Sequence, residues 1–389
     1  MIPFRPILEE LFDGSHFYNA RASWTWNRWL PSRPGFLDAV TGGMLPLAGR
    51  LPVIVAAGCA TPRVRALMDR AGMPLASSVH SYESREDYER TLRHLGRDRR
   101  AVFQHAPDPR EAEGLDPWMP LDHLSFLNNK KNQVDLVDAA NLNDRLLVAP
   151  GSLLEHSGRL PLVVKAATDE STGGGIDIRL CRDGRELEEA SRVFRDCDLV
   201  LVERFLDVDR SFCVNFAISR NGAAEMIGCG EQILDASLTQ QGSWVGETEP
   251  TPAMLEACRP VLERAAARGY YGVCGIDCAE VEGRIVIFDL NFRINASTTP
   301  SLIIEAWRQM TGLPLIGKLC GFSTTKSFET LAGTLATAID ERWIVPYYFF
   351  DAEAHPGVMA DHRAAVVILG ADRDDVLARQ ATLVAALAS

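Results

Sequence analysis

The segment from Gly272 to Leu302 constrains the fold of this chain more than any other stretch. It holds two apolar runs separated by Glu282 and Gly283, a pattern that predicts a β-hairpin. Asp277 lies within the first run and Asp289 ends the second, so the hairpin would bring the two carboxylates together. Side chains two residues apart on an extended strand point to the same face. Asp289 would therefore share one wall with the polar residues that follow it at alternate positions, Asn291, Arg293 and Asn295.

This wall combines the groups that a magnesium–polyphosphate site needs. Mg²⁺ prefers hard oxygen donors, which Asp277, Asp289 and Asn291 would supply. Arg293 would add a fork of N–H donors that recognises phosphate. The segment therefore indicates nucleotide chemistry.

The bulk properties are those of an ordinary soluble globular protein. The chain has 389 residues, 47% of them hydrophobic and 24% charged, which is enough for two or three domains. The net charge of −12 argues against a nucleic-acid or acidic-membrane binder, although local cations or a metal still permit an anionic substrate. The acidic N-terminus lacks a signal-peptide pattern, no run is long enough to span a bilayer, and the nine cysteines form no CxxC pair. We expect a cytoplasmic protein with reduced thiols.

Strand–helix alternation predicts an α/β domain over residues 1–120. Residues 51–58 and 101–106 are candidate strands, a helix is expected at 62–71, and 107–122 is a candidate linker rich in proline and acid. Residues 121–322 form a second predicted domain and 323–389 a third small domain or a closing element of the other two. In the second domain we predict helices at 130–140, 187–195, 251–268 and 300–310, and strands at 160–167, 176–181, 199–206, 211–219 and 223–230.

A second candidate phosphate site lies in PLVVKAATDESTGGGIDI. Lys165 interrupts an apolar strand, which is costly unless the ammonium meets an anion. Gly173, Gly174 and Gly175 would let the backbone approach a phosphate closely, and Ser171 and Thr172 would add hydroxyl donors. A flexible hairpin loop beside a lysine that reaches solvent is an equally good interpretation of this segment alone.

Two further patterns gain meaning beside Lys165. Lys130 and Lys131 begin a predicted helix and would suit either a second phosphate contact or a solvated surface pair. The strand LVLVERFL leaves the core through Glu203, Phe205 and Leu206. Its backbone would offer an adenine a donor and an acceptor, with Glu203 accepting from the exocyclic amine, although an edge-strand glutamate is the simpler explanation.

Taken in order, these features resemble the ATP-grasp superfamily over residues 125–305, most strongly in IDCAEVEGRIVIFDLNFRINAS. The resemblance implies a Rossmann-like pre-ATP-grasp domain, a two-lobed α+β ATP-grasp domain and a small C-terminal α/β element. It implies that Lys130 or Lys131, together with Lys165, contacts the phosphates of ATP, and that loop 171–175 closes over them. Glu203, Phe205 and Leu206 would hold adenine. Asp277, Asp289 and Asn291 would bind one or two Mg²⁺, and Arg293 and Lys165 would be catalytic.

Three positions bear on how far the resemblance extends. Asp289 stands where many members have glutamate, and the acids nearest to the expected ribose-binding position are Asp207 and Asp209, of which we take Asp209. Residues 295–299 resemble the ending seen in peptide ligases of natural-product pathways. The polar segment 228–250 is either the wall of a substrate pocket or a surface loop, and Glu231, Trp244 and Ser297 are candidate substrate contacts.

The resemblance implies an ATP-dependent ligase that joins a carboxylate to an amine through an acyl phosphate. An amino acid or peptide would supply the carboxylate, and the product would belong to a natural-product peptide pathway. A ligase of primary metabolism and a nucleotide-binding regulatory module without turnover are the alternatives; the complete metal set and Arg293 favour catalysis. The expected partners are small-molecule substrates rather than nucleic acid or membrane, and a homodimer is compatible because superfamily members are often dimeric.

Overall fold

Three β-sheets organise the chain in a computed structural model that describes residues 2–356 and 360–388. The first sheet is parallel, with four strands in the order β3-β2-β1-β4. Its strands are β1 (His16–Asn19), β2 (Val53–Ala56), β3 (Val79–Tyr82) and β4 (Arg100–Phe103). The helices of this region are α1 (Ile7–Leu11), α2 (Phe36–Ala39), α3 (Leu45–Ala48), α4 (Pro62–Arg70) and α5 (Arg85–Leu95).

These elements confirm the α/β prediction for the N-terminal part. Thr61 accepts a hydrogen bond from the backbone of Val64 and Pro62 is the first residue of α4, which together set the start of that helix. Sequence patterning missed β1, because its four residues HFYN include two polar ones. β1 nevertheless lies between β2 and β4, and the chain leaves the carboxyl ends of β1 and β4 towards the cleft described below.

The second sheet is antiparallel and has the order β5-β8-β6-β7. It is formed by β5 (Arg145–Val148), β6 (Leu162–Ala167), β7 (Ile178–Cys181) and β8 (Leu199–Arg204), with α8 (Gly184–Val193) and a 3₁₀ segment, Pro150–Arg159, beside it. This small lobe has its own hydrophobic core.

The connection into the small lobe differs from the prediction. A continuous helix over 130–140 is wrong: after α6 (Leu121–Asn128), the chain forms a 3₁₀ turn at Lys130–Asn132, a single turn α7 (Gln133–Leu136) and another 3₁₀ turn at Ala139–Asn141. Asn129 accepts a hydrogen bond from the amide of Lys131, and Val137 is extended. Asparagine side chains that bond to nearby backbone compete with helix propagation.

The third sheet has eight strands in the order β13-β12-β9-β10-β11-β14-β16-β15, and every pair in it is antiparallel. Its strands are β9 (Phe212–Ile218), β10 (Ala224–Leu234), β11 (Gln240–Val245), β12 (Gly272–Val281), β13 (Arg284–Asn291), β14 (Ile316–Thr324), β15 (Ile344–Phe350) and β16 (His362–Gly370). The associated helices are α9 (Pro252–Ala267), α10 (Thr298–Thr311), α11 (Phe328–Asp340) and α12 (Arg373–Ala388).

This sheet joins two regions that the sequence analysis separated. The boundary predicted at residue 322 lies inside β14, and β15 and β16 continue the same sheet. Segment 228–250 is mostly strand rather than loop, because β10 runs on to Leu234 and pairs with β11. One hydrophobic core is shared by this sheet and the N-terminal domain. The nine cysteines are all buried and unpaired. Within the described ranges, none of the helices has the length and apolar character needed to cross a bilayer.

Candidate active site

A cleft of about 790 Å³ lies where the N-terminal domain, the small lobe and the eight-stranded sheet meet. The sheet supplies its carboxylates, the small lobe supplies Lys165 and the glycine loop, and the N-terminal domain closes the far end. Its lining includes these predicted residues: Lys165, Thr172, Gly173, Gly174, Gly175, Glu203, Phe205, Leu206, Asp277, Asp289, Asn291, Arg293 and Ser297. The structure therefore gathers residues that are more than 130 positions apart in one place.

The hairpin of β12 and β13 places Asp277 directly opposite Asp289. The turn is tight, with Glu282 and Gly283 both at positive φ, 52° and 78°. Burial and the neighbouring Asp289 carboxylate raise the pKa of Asp277 to about 6. One oxygen of Asp277, Oδ1, is buried and accepts no well-formed hydrogen bond from the described residues. A buried, unpaired carboxylate oxygen facing a second carboxylate suits a cation.

These carboxylates fit Mg²⁺, although they do not form a complete cage. Among the described residues, no cluster of three or more His, Cys, Asp or Glu side chains is arranged to hold a metal. Mg²⁺ characteristically uses one or two carboxylates and completes its octahedron with phosphate oxygens and water. The amide oxygen of Asn291 accepts a hydrogen bond from Arg293 at 2.6 Å, while its nitrogen lies 3.3 Å from Asp277.

Lys130 is the lysine that reaches this wall, and Lys131 is not. The buried ammonium of Lys130 lies 2.9 Å from Asp177 and 3.1 Å from Asp289. Burial disfavours its charge, but the two carboxylates outweigh burial and raise the pKa of Lys130 above its usual value. In the same way, the lysines outweigh the effect of burial on Asp289 and lower the pKa of that carboxyl. Lys131 is partly exposed, and neither Lys130 nor Lys131 is among the residues that line the cleft.

Sequence reasoning missed Asp177 and Asn128. Asp177 was visible as a lone acid just after the three glycines, but nothing in the sequence paired it with Lys130. Asn128 ends α6, and its side-chain oxygen accepts from Arg293 Nη1 at 3.1 Å. The other end of the Arg293 guanidinium donates to the carbonyl of Thr172 at 3.0 Å, and burial lowers the pKa of Arg293. Arg293 thus connects the wall formed by Asp277, Asp289 and Asn291, which we call the metal wall, to the glycine loop, residues 171–175.

Lys165 forms a second buried charge cluster at the entrance of the small lobe. Its ammonium lies 2.6 Å from Glu203 and donates to the carbonyl of Phe288 at 2.9 Å. Arg145 forms a close ion pair with the same Glu203 carboxylate. An adenine amine, the predicted partner of Glu203, would be a third hydrogen-bond donor to a carboxylate that already pairs with Arg145 and Lys165. Phe205 and Leu206 continue along the cleft wall, as an adenine site at the end of this strand requires.

The glycine loop adopts backbone conformations that favour glycine. Gly174 and Gly175 have φ of 67° and 76°, and a Cβ on Gly175 would lie 2.9 Å from the carbonyl oxygen of Leu238. The loop therefore lies against the hairpin between β10 and β11. Ser171 does not reach the cleft, since its hydroxyl donates to the carbonyl of Ala106 at 3.1 Å.

Three other predicted residues lie outside the cleft. Asp209 is exposed three residues after Leu206 and does not line the cleft. Glu231 and Trp244 are cross-strand partners on the face of β10 and β11 that points away from it, where Glu231 pairs with Arg210 and Arg373. Because strand side chains alternate, the neighbouring residue Gln232 lines the cleft instead. The sequence of this segment predicted a pocket wall or a loop, without an assignment of strand faces.

Ser297 lies at the start of α10 in a buried polar cluster. Its hydroxyl donates to Asn295 at 2.9 Å and accepts from the amide of Asn215 at 2.9 Å. Asn295 in turn donates to Asn215 at 2.7 Å. This cluster supports the cleft wall just beyond Arg293.

The far end of the cleft is apolar and was not predicted. Its wall combines the N-terminal domain with the last strands of the large sheet: Phe36, Leu37, Val40, Met44, Leu319, Tyr347 and Tyr348. Arg33, just before α2, is exposed at the same end and has no ion-pair partner among the described residues. An apolar pocket beside an unpaired cation suits a small molecule that carries an apolar group and a carboxylate.

Two family models match the sequence, and both describe L-aspartate–L-methionine ligase. The model of its N-terminal domain matches residues 7–125, and the model of its ATP-grasp domain matches residues 144–291. Together the two matches cover more than half of the chain.

Solved structures share the fold at low sequence identity. An N5-carboxyaminoimidazole ribonucleotide synthetase in complex with ADP has a TM-score of 0.62 and 14% identity, covering 95% of this chain and 96% of that one. An Aspergillus clavatus N5-carboxyaminoimidazole synthase in complex with ADP and 5-aminoimidazole ribonucleotide has a TM-score of 0.59 and 12% identity, covering 96% and 99%. An L-amino acid ligase from Bacillus licheniformis has a TM-score of 0.54 and 14% identity, covering 86% and 97%.

Proposed function

Because the chain belongs to the ATP-grasp carboxylate–amine ligases that these two models describe, we propose that it joins the carboxyl group of L-aspartate to the amine of L-methionine. The observation that carries the substrate assignment is the match of both the N-terminal and the ATP-grasp models to the same ligase. The apolar end of the cleft supports it, since a thioether side chain fits a wall of aliphatic and aromatic groups. Arg33 is the cation available there for a substrate carboxylate.

The proposed reaction has two steps. A carboxylate oxygen attacks the γ-phosphorus of ATP, the bond from that phosphorus to the β–γ bridging oxygen breaks, and ADP leaves. The amine nitrogen then attacks the acyl carbon, the bond from carbon to the phosphate oxygen breaks, and the nitrogen loses a proton. The protein contributes position and charge neutralisation to such phosphoryl transfer rather than covalent bonds.

Different residues of the cleft would have different roles in this reaction. Asp277 and Asp289 would hold Mg²⁺, which when bound neutralises charge on phosphate oxygens. Lys165 lines the cleft and would contact the triphosphate, whereas Lys130 pairs with Asp177 and Asp289 outside the lining and would add positive charge beside it. Arg293 offers N–H donors where negative charge develops on the transferred phosphoryl group. Glu203, Phe205 and Leu206 would hold the adenine, and the glycine loop would exclude water from the acyl phosphate.

The test measures ADP, phosphate and dipeptide with Mg-ATP and L-aspartate, L-methionine or both. We expect equal amounts of the three products when both amino acids are present, and an acyl phosphate trapped as the hydroxamate when hydroxylamine replaces L-methionine. The apolar pocket should accept L-norleucine and reject L-glutamine, its polar analogue of similar length, by roughly 10-fold or more in kcat/KM. If no amide forms from L-aspartate with either L-methionine or L-norleucine, the proposed function is excluded.

A further inference from the structure

A segment of the N-terminal domain, residues 23–31, extends across the cleft into the small lobe; we call it the strap. Its base is fixed to the N-terminal domain by the carboxylate of Glu111, which accepts from the backbone amides of Trp24 at 3.0 Å and Thr25 at 3.1 Å. The hydroxyl of Thr25 donates to Asp108 at 2.8 Å. The strap is therefore part of the N-terminal domain at one end.

The other end of the strap is part of the small-lobe core. Trp29 is only 4% exposed and packs against Phe194, with ring centroids 5.3 Å apart. Every other described residue of that core lies between positions 148 and 202. The indole N–H of Trp29 has no hydrogen-bond partner among the described residues, so packing in the small-lobe core and the Arg28 guanidinium, 4.9 Å from the ring centroid, hold the ring there.

The strap also pairs with the glycine loop. The carbonyl of Trp29 accepts from the amide of Gly173 at 3.1 Å, and Trp29 forms a parallel bridge with Thr172. Added Cβ atoms on Gly173 and Gly174 would lie 3.2 and 3.3 Å from Leu30 and Pro31. At the loop entrance, Arg28 pairs with Glu170 at 2.9 Å.

The glycine loop is thus held from two sides. Arg293 donates to the carbonyl of Thr172 from the metal wall, and the strap holds the following amide from the N-terminal domain. Leu30 and Pro31 of the strap line the same cleft as Arg33 and Phe36, which follow directly in sequence. The end of the cleft assigned to the amino acid and the loop assigned to the phosphates therefore share one short piece of chain.

We propose that the strap is a positioning element that holds the glycine loop closed through Trp29 and so couples ATP use to ligation. This inference rests on the proposed function for the identity of the loop as the cover of the phosphates. With the loop held, water is kept from the acyl phosphate until the amine attacks. With the strap released, water attacks the acyl phosphate, phosphate leaves, and the free carboxylate is regenerated, so that ATP is consumed without amide formation.

The experiment compares Trp29→Ala with Trp29→Phe and with Trp26→Ala. Phenylalanine keeps an aromatic ring in the small-lobe core and sacrifices no hydrogen bond, whereas Trp26 belongs to the same strap but lies outside both hydrophobic cores. The readouts are the ratio of phosphate to dipeptide and hydrogen exchange of the amides of residues 171–175 with Mg-ADP. For Trp29→Ala we expect a phosphate-to-dipeptide ratio well above one and loop exchange about 10-fold faster or more. Trp29→Phe and Trp26→Ala should resemble the unsubstituted protein.

A purely structural role for Trp29 predicts something else: lower thermal stability with a ratio of one and unchanged loop exchange in the folded protein. That result would overturn the proposal, as would equal effects of Trp29→Ala and Trp26→Ala. If Trp29→Ala does not fold, Glu111→Ala loosens the base of the strap without touching the small-lobe core, and the same two readouts decide. Exchange with Mg-ADP requires no amino acid, so the strap can be tested even if L-aspartate and L-methionine prove not to be substrates.

Discussion

Lys130 lies buried between Asp177 and Asp289, and this arrangement determines what substitution at the metal wall should do. Asp289 neutralises Lys130 and, in the proposed function, would also offer an oxygen to Mg²⁺. Asp177 alone would still neutralise the ammonium if Asp289 were lost. Substitution of Asp289 should therefore affect catalysis much more than stability.

We expect Asp289→Asn to lower kcat by roughly 100-fold or more, because it removes a negative charge from the metal wall. The melting temperature should change little, since Lys130 keeps Asp177 and asparagine keeps the shape. Steady-state kinetics and thermal unfolding check both statements. Asp116→Asn, at an exposed carboxylate paired with Arg100 at 3.2 Å, is the matched control and should leave kcat unchanged. Near-normal kcat in Asp289→Asn would contradict the assignment of the wall.

His105 gives a prediction for acid stability. Burial and the Arg293 cation lower the pKa of His105 from 6.5 to about 3. Below pH 6.5 the unfolded chain binds a proton at this position that the folded chain refuses, so stability falls as the pH drops towards 3. His105→Gln should remove about 1–2 kcal/mol of the stability loss between pH 7.5 and pH 5. Denaturant unfolding at the two pH values measures it; the exposed His94→Gln should show no such gain.

The residue types of the β12–β13 hairpin were enough to predict that Asp277 and Asp289 meet, because hairpin pairing acts over a few residues. Arg293 lies two residues beyond the end of β13, so its place at this wall depends on contacts with Asn128 and Thr172 rather than on strand alternation. Asp177 and Asn128 join them only through contacts between separate elements. The apolar end of the cleft draws on α2, β14 and β15, and no spacing in the sequence relates these three.

At the scale of elements, β10 and β11 show how strand faces decide function. Glu231 and Trp244 point away from the cleft and Gln232 points into it. The amide of Gln232 acts on Asp277, where it opposes the raised pKa of that carboxyl.

Two substitutions on adjacent residues test these faces. Gln232→Leu should weaken the metal wall and lower kcat by about 10-fold, because it removes a polar group from Asp277. Glu231→Gln should keep kcat but destabilise the fold by about 1 kcal/mol, since it weakens the pairs with Arg210 and Arg373. Steady-state kinetics and denaturant unfolding of the two variants check both statements. A lower kcat in Glu231→Gln with normal kcat in Gln232→Leu would refute the assignment of the strand faces.

The glycine loop provides a second test at this scale. Gly175→Ala should cost about 1–2 kcal/mol in the closed loop, because alanine disfavours positive φ and its Cβ would meet the carbonyl of Leu238. We expect kcat/KM for ATP to fall about 10-fold. Gly184→Ala, at the start of α8 with no neighbour within 4 Å of the added Cβ, should behave as the unsubstituted protein. Equal kinetics in both variants would show that the loop conformation does not matter.

At the scale of the whole molecule, the fold class was predicted and the continuity of the large sheet was not. Alternating strands and helices indicated an α/β start, and the resemblance to the ATP-grasp superfamily implied a two-lobed α+β continuation. The strands β14 to β16 follow helices and an irregular stretch, so nothing local shows that they extend a sheet begun 100 residues earlier. Antiparallel partners distant in sequence leave no periodic signal of their pairing.

A chain ending at residue 312 should therefore fail to fold, although it retains every residue of the metal wall. It would lose three of the eight strands of the large sheet and expose β11 as an unpaired edge. Circular dichroism and gel filtration should show loss of the cooperative unfolding transition or aggregation. A soluble, ATP-hydrolysing product of this length would mean that the last strands are dispensable.

The position of these strands in the chain also has a consequence for synthesis. Leu319, Tyr347 and Ala365 line the cleft and are synthesised after the N-terminal domain and the small lobe. N-terminal domains generally fold first during translation. The N-terminal domain and the small lobe are thus free to form on the ribosome, while the cleft takes shape only after β14, β15 and β16 emerge. A translation product interrupted before β14 accordingly carries Lys130 and Lys165 but lacks the part of the cleft wall that Leu319, Tyr347 and Ala365 supply.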